Sequence, residues 1–302
     1  MSIIPFCEAA DPFVHKPTIA IPEGAVDCHA HVFSSRYPYC ETRTYTPPDA
    51  SVGAYLHLHQ QLGIRHGVLV QPSVYGNDNQ LHLDTLRYLR QQGYDYKGVA
   101  VVDADVSEQT LDELQEAGFC GVRMNLLFKG GIEWRDVERL AARLAERHWH
   151  LQCLIDVSQF DDLYQRLRAL PVPVVIDHLG HMPTNKLISH PGFQTLLKLK
   201  AEGKVWTKLS APYRLSLQSP PYDDVSSFAQ ALLEANEEQC VWGSDWPHPC
   251  FAAEMPNDGQ LLDTLWHWTQ DTTLFSKILV DNPKRLYRFQ LHIHVMNLKR
   301  QP

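Results

Sequence analysis

The chain carries 16 histidines, and the spacing His-x-His occurs four times, at His29/His31, His57/His59, His148/His150 and His292/His294. Composition alone supplies roughly one such pair, so spacing by itself identifies no site. The first pair stands apart because of its surroundings. It lies in Val26-Asp27-Cys28-His29-Ala30-His31-Val32-Phe33, an apolar run with an acid and two imidazoles at every second position. Strand alternation predicts Asp27, His29 and His31 on one face and Cys28 on the other. Two imidazoles side by side suit the polarisation of a carbonyl or the ligation of a metal ion. Asp27 is expected either to orient one imidazole from below or to make a purely structural hydrogen bond.

Such a face works only if other elements bring partners to it. Seven further apolar runs follow, at 66–73, 96–103, 120–127, 150–156, 172–179, 205–212 and 240–247. Amphipathic segments with apolar residues three and four apart lie between several of them, for example SEQTLDELQEAG and WRDVERLAARLAERHW. Eight strands alternating with helices predict an α/β fold, a single (β/α)8 TIM barrel. No G-x-G-x-x-G follows the first run, which removes the main support for a dinucleotide-binding sheet. The expected organisation is an N-terminal arm at 1–24, a barrel at 25–290 with a long loop at 34–50, and a tail at 291–302.

Active sites of barrels sit at the carboxyl ends of the strands. By that rule His29 and His31 end the first strand, Ser73 closes the second, His178 ends the sixth and Asp245 ends the eighth. Arg123 and Asn125 share a face on the fourth, Lys208 and Ser210 share one on the seventh, and Arg214 follows. All are expected to face the barrel mouth. Several ionisable groups buried at one point are costly unless they are used. Asp177, beside His178, is expected to point outward or to fix a loop. The other histidine pairs fail the same test. His57 and His59 fall on different faces of a helix, His148 and His150 precede the fifth strand, and His292 and His294 lie in the tail.

Composition narrows the function further. A formal net charge of −8 lacks the basic excess that nucleic acid demands, so nucleic acid is not an expected partner. The first residues lack a basic start with an apolar run, and no stretch approaches a membrane span. A cytoplasmic protein with no membrane partner is expected. Seven cysteines, an odd number with no C-x-x-C pair, are expected to be reduced core residues.

The runs VDCHAHVF, IDHLGH (176–181) and VWGSDWPHP (241–249), together with YTPPDA (45–50), VQPSVYGNDN (70–79), GVAVVD (98–103), GVRMN (121–125) and NPKRLY (282–287), resemble the amidohydrolase superfamily. The resemblance is to the branch of 2-pyrone-4,6-dicarboxylate hydrolase and related sugar lactonases, and it covers nearly the whole barrel. It implies the opening of a small carboxylated lactone by water. Carried over by motif, Asp245 would be the general base, and His29, His31 and His178 would polarise the ester carbonyl. Tyr45, Ser73, Arg123, Lys129, His181 and Arg214 would hold the substrate. The same His29, His31, His178 and Asp245 would be the ligands of one divalent ion, zinc or manganese, if a member of the branch uses a metal. Strand five offers Gln152, Cys153 and Asp156 in place of a bridging Lys or His, which argues against two metals.

Departures from the pyrone hydrolase pattern are Lys129 and His181 where arginines are expected, and Leu154 where a tyrosine is expected. Losing two planar forks weakens recognition of a second carboxylate, so a different carboxylated or hydroxylated lactone is the expected substrate. A metal-dependent decarboxylase or hydratase, a lactone isomerase and a carboxylate-binding relic of the barrel remain as alternatives.

Overall fold

The computed structural model describes residues 4–125, 127 and 134–289. Eight parallel strands lie in sequence order, β1 (Val26–Ala30), β2 (His66–Val70), β3 (Lys97–Ala100), β4 (Phe119–Asn125), β5 (His150–Leu154), β6 (Val174–Ile176), β7 (Val205–Ser210) and β8 (Cys240–Gly243). The ring closes through a bridge between Ala30 and Trp246 and the bonds His31 N to Trp246 O and Asp245 N to His29 O, both 2.7 Å. Each strand matches a predicted apolar run, β4 starting one residue earlier at Phe119 and the rest falling inside. The helices between and after them are α1 (Val52–Leu62), α2 (Gln80–Gln91), α3 (Glu108–Ala117), α4 (Trp134–Glu146), α5 (Leu163–Arg168), α6 (Pro191–Ala201), α7 (Ser226–Asn236) and α8 (Asp258–Thr269), followed by the short α9 (Thr272–Ser276) and α10 (Asn282–Tyr287). This is the (β/α)8 barrel.

The helices start where short polar side chains satisfy free N–H groups. Ser51 accepts from Ala54 N at α1, Ser107 from Thr110 N at α3 and Asn257 from Gly259 N at α8. Among the described residues, no helix is long and apolar enough to cross a membrane.

Two apolar layers divide the molecule. The larger fills the space between strands and helices, with Leu69, Met124, Leu151, Ile176, Leu209 and Trp242 contributed by the strands. The smaller plugs the lower barrel interior with Val26, Cys28, Val68, Val70, Val99, Val175, Trp206, Val241 and Tyr287. Ionisable groups begin directly above that plug.

The inward position of Cys28 overturns strict alternation along β1. Asp27 pairs with Gly67 of β2, whereas the next pair is Ala30 with Leu69, so β1 inserts one extra residue. A β-bulge of this kind re-aims side chains. Below it Val26 and Cys28 face the interior; above it His29 and His31 do. Asp27 points outward, away from both imidazoles. There it accepts from Tyr55 on α1 at 3.0 Å and from the backbone N–H groups of Ser244 (2.8 Å) and His29 (3.1 Å). It is a buried clasp between β1, β8 and α1. Gly243 allows the close approach, because a Cβ there would lie 2.6 Å from His29 Cβ and 2.7 Å from His29 N.

Several predicted strand ends also shift. His31, Ser73, His178 and Asp245 lie in the turns after their strands. The backbone leaves the strand conformation there, with φ of +49° at His178 and +63° at Asp245. The long loop after β1 holds only isolated bridges, Phe33 with Ala50 and Thr46 with Phe6 of the N-terminal arm.

Candidate active site

β1 and the turns after β1 and β6 carry three imidazoles to one carboxylate oxygen, that of Asp245 in the turn after β8. Asp245 Oδ1 lies 3.4 Å from His31 Nε2, 3.6 Å from His29 Nε2 and 3.8 Å from His178 Nε2. Its other oxygen is fully engaged. Asp245 Oδ2 accepts from Tyr213 OH at 2.6 Å and from Arg214 Nε at 2.8 Å, and pairs with Arg214 Nη2 2.8 Å away. The carboxylate therefore has a held side and a side open to the imidazoles. Burial opposes its ionisation, but Arg214, His178, His31 and His29 overcome that and hold it well below the usual carboxylate range.

Each imidazole is oriented from behind. His31 donates from Nδ1 to Val70 O at 2.7 Å, which leaves its Nε2 as a lone pair toward Asp245 when neutral. His178 Nδ1 lies 2.8 Å from Ser210 Oγ, an oxygen that can donate or accept. Beneath His29 is a buried cluster of Lys208, Asp177 and Gln152. Burial, followed by the Lys208 charge, lowers the His29 imidazole to about 4. Burial likewise lowers His31 and His178. All three are neutral at pH 7.

Asp177 does not point outward. It is fully buried, 3.3 Å from His29 Nδ1, 3.5 Å from Arg123 Nη2 and 3.6 Å from Lys208 Nζ, and it accepts from Gln152 Nε2 at 3.0 Å. β6 ends at Ile176, and its interior face continues from Val175 to Asp177. Lys208 sits deeper than the mouth, tied to the β1 backbone through Cys28 O at 2.9 Å.

Above the imidazoles opens a pocket of about 350 Å3, mouth included, lined by His31, Tyr45, Ser73, Arg123, His178, His181, Arg214 and Asp245. It also meets Asn125, Leu154, Pro249 and Cys250. Lys129 lies outside the described residues. Arg123 offers a buried Nε with no hydrogen bond, and its Nη1 reaches Gln71 O only at 3.4 Å. Arg214 is more committed, donating to Asp245 and to Pro249 O at 2.8 Å. Tyr45 hydrogen-bonds Ser73.

Two residues of this environment escaped the sequence reading. Tyr213 had no signal beyond its place beside Arg214. Cys250 is exposed at the pocket edge, so the expectation that the cysteines are core residues holds for Cys28, Cys153 and Cys240 but fails for Cys250. His59 and His57 split as the helix predicted, His59 buried against Tyr96 OH at 2.6 Å and His57 exposed. His150, on the barrel floor, packs against Tyr287 with ring centroids 5.3 Å apart.

A divalent ion is compatible with this donor set. His29, His31 and Asp245 bring ligand atoms within 4.8 Å of one another, and His29 Nε2 is buried without a hydrogen-bond partner. Tetrahedral ligands about 2.1 Å from zinc lie roughly 3.4 Å apart, close to the separations around Asp245 Oδ1.

The fold and the constellation at its carboxyl-end mouth define a (β/α)8 barrel with three histidines and an aspartate gathered at one point. The amidohydrolase family profile matches residues 26–289, and the chain belongs to that family. It is 36% identical over 286 residues to a 2-pyrone-4,6-dicarboxylate hydrolase of Comamonas testosteroni, covering 90% of this chain and 92% of that one. It is 33% identical over 294 residues to a 4-sulfomuconolactone hydrolase of Hydrogenophaga intermedia, covering 95% and 96%. A crystal structure of a probable 2-pyrone-4,6-dicarboxylic acid hydrolase from Acinetobacter baumannii with citric acid bound superposes with a TM-score of 0.78. That protein is 29% identical, over 88% of this chain and all of the other.

Proposed function

We propose that the protein is a carboxylic-ester hydrolase that opens the ring of a small carboxylated lactone. The observation that carries this reading is the single free oxygen of Asp245, ringed by three imidazole nitrogens under a pocket that also presents Arg123 and Arg214. Relatives that share most of the chain are named for lactone substrates bearing carboxylate or sulfonate groups, which suits a cationic pocket.

In the proposed reaction, water attacks the lactone carbonyl carbon while Asp245 Oδ1 takes its proton. His31 Nε2, a lone pair in the neutral ring, accepts the second hydrogen of that water and aligns it. The carbonyl oxygen gains negative charge beside His178, which donates from Nε2 when Ser210 donates to its Nδ1. As the ring C–O bond breaks, the departing oxygen collects the proton from Asp245. A divalent ion held by His29, His31, His178 and Asp245, when bound, would acidify the water and polarise the carbonyl. Arg123 and Arg214 hold the substrate carboxylate, with Tyr45, Ser73 and His181 at the walls and Lys129 assigned from the sequence. His181 and Leu154, in place of an arginine and a tyrosine, support a substrate other than pyrone dicarboxylate.

The test is ring opening across carboxylated five- and six-membered lactones, pyrone dicarboxylate included, with metal-stripped protein and again with zinc or manganese. Turnover of one or more is expected. Silence of the whole panel under both conditions refutes the reading.

A further inference from the structure

The cluster under His29 decides where that imidazole keeps its proton. Lys208 Nζ lies 2.7 Å from Gln152 Oε1, 2.9 Å from Cys28 O and 3.3 Å from His29 Nδ1. An ammonium has three protons and no lone pair, so these three acceptors complete it. Gln152 is itself oriented, because its amide nitrogen donates to Asp177 Oδ2 at 3.0 Å. The oxygen facing Lys208 is thereby fixed.

The rival arrangement has His29 donate from Nδ1 to Asp177 Oδ1, 3.3 Å away. That contact does not close as a hydrogen bond, and Asp177 Oδ1 has none. Arg123 and Gln152 already compensate Asp177 through its other oxygen.

We propose that Lys208 is a positioning residue that holds His29 in the tautomer with its proton on Nε2. His29 then faces Asp245 Oδ1, 3.6 Å away, as a donor rather than as a lone pair for a metal ion. To ligate an ion, His29 must move its proton to Nδ1 and Lys208 must swing its third proton to Asp177 Oδ1, 3.6 Å off. The buried ammonium thus biases the site against a divalent ion and toward an Nε2–H directed at the carboxylate. The inference rests on the reading of this cluster as the reaction centre. It adds a residue, outside the pocket wall, that sets which chemistry the centre performs.

The experiment combines nitrogen-15 histidine NMR of the metal-free protein with zinc titration against a chromophoric chelator, on wild type and Lys208→Met. The His29 signal is identified by its loss in His29→Asn. The expected results are an Nε2–H pattern for His29 in wild type, an Nδ1–H pattern in Lys208→Met, and zinc bound about tenfold more tightly by the variant. An Nδ1–H pattern in wild type, or zinc affinity unchanged by the substitution, overturns the proposal. Should Lys208→Met fail to fold, the wild-type spectrum decides alone. Neither readout uses a lactone, so an inactive lactone panel and a wrong tautomer are separate failures.

Discussion

Asp245→Asn isolates the working oxygen of the carboxylate with little harm to the fold. Asn tolerates the left-handed backbone found at Asp245, where φ is +63°. Its amide oxygen can replace Oδ2 and keep the acceptor position for Tyr213 and Arg214. The amide nitrogen then faces His31 Nε2 and His178 Nε2, at 3.4 and 3.8 Å from the atom it replaces. The loss is the charge opposite Arg214, about 4 kcal/mol for a pair some 4 Å apart at an effective dielectric of 20. Only His31 Nε2 presents a lone pair within reach, and that N–H···N bond returns about 1 kcal/mol. The net is about 3 kcal/mol, or a Tm lower by roughly 5 °C in a chain of this size. Catalysis suffers far more, because no atom remains to take the water proton; loss of a general base costs about 10²- to 10⁴-fold in kcat. Calorimetry with steady-state kinetics on the best lactone of the panel measures both. A folded Asp245→Asn protein within tenfold of wild-type kcat refutes the role given to Asp245.

Other outcomes follow from the same geometry. Arg123→Met should raise KM about 10- to 100-fold, the worth of a charge-assisted carboxylate contact, with a smaller change in kcat; an unchanged KM removes Arg123 from substrate binding. Gly243→Ala pushes a methyl group against the His29 backbone and should cost about 1–3 kcal/mol, together with activity, because it pries β1 from β8. A thermal unfolding curve that overlays wild type would contradict that contact. Acid should unfold the protein early. Burial lowers His29 to about 4 and His82 and His150 to about 3, from 6.5 when unfolded. The unfolded chain therefore binds protons that the folded chain refuses, and stability is lost as pH falls from 6.5 toward those values. Each ring contributes up to about 3 kcal/mol over the range to pH 4. Urea midpoints that stay flat between about pH 7 and 4.5 would show that these rings protonate without unfolding the protein.

The strand–helix alternation was legible because it is written in local periodicity. Val- and Ile-rich runs bounded by amphipathic segments needed no partner to be recognised, and all eight became strands. The gathering of His29, His31, His178 and Asp245 at one mouth was also legible. It follows from one topological rule, that successive parallel strands present the same end. Directions were harder. Asp27 was assigned to the face of His29 and His31, and Asp177 to the outside, and both assignments fail. Asp27 faces α1 because of the bulge, and Asp177 turns inward over Lys208.

By itself, then, the sequence determined the order of the elements, the family and the chemical types that meet at the barrel mouth. Only the tertiary structure decided how those groups work together. It gave Asp245 one clamped and one open oxygen, set a lone pair of His31 toward it, and buried an ammonium beneath His29. The reason is physical. Periodicity is a property of neighbours along the chain. The side to which a residue points near a bulge, and the atom on which an imidazole keeps its proton, depend on partners more than a hundred residues away, as Lys208 is from His29.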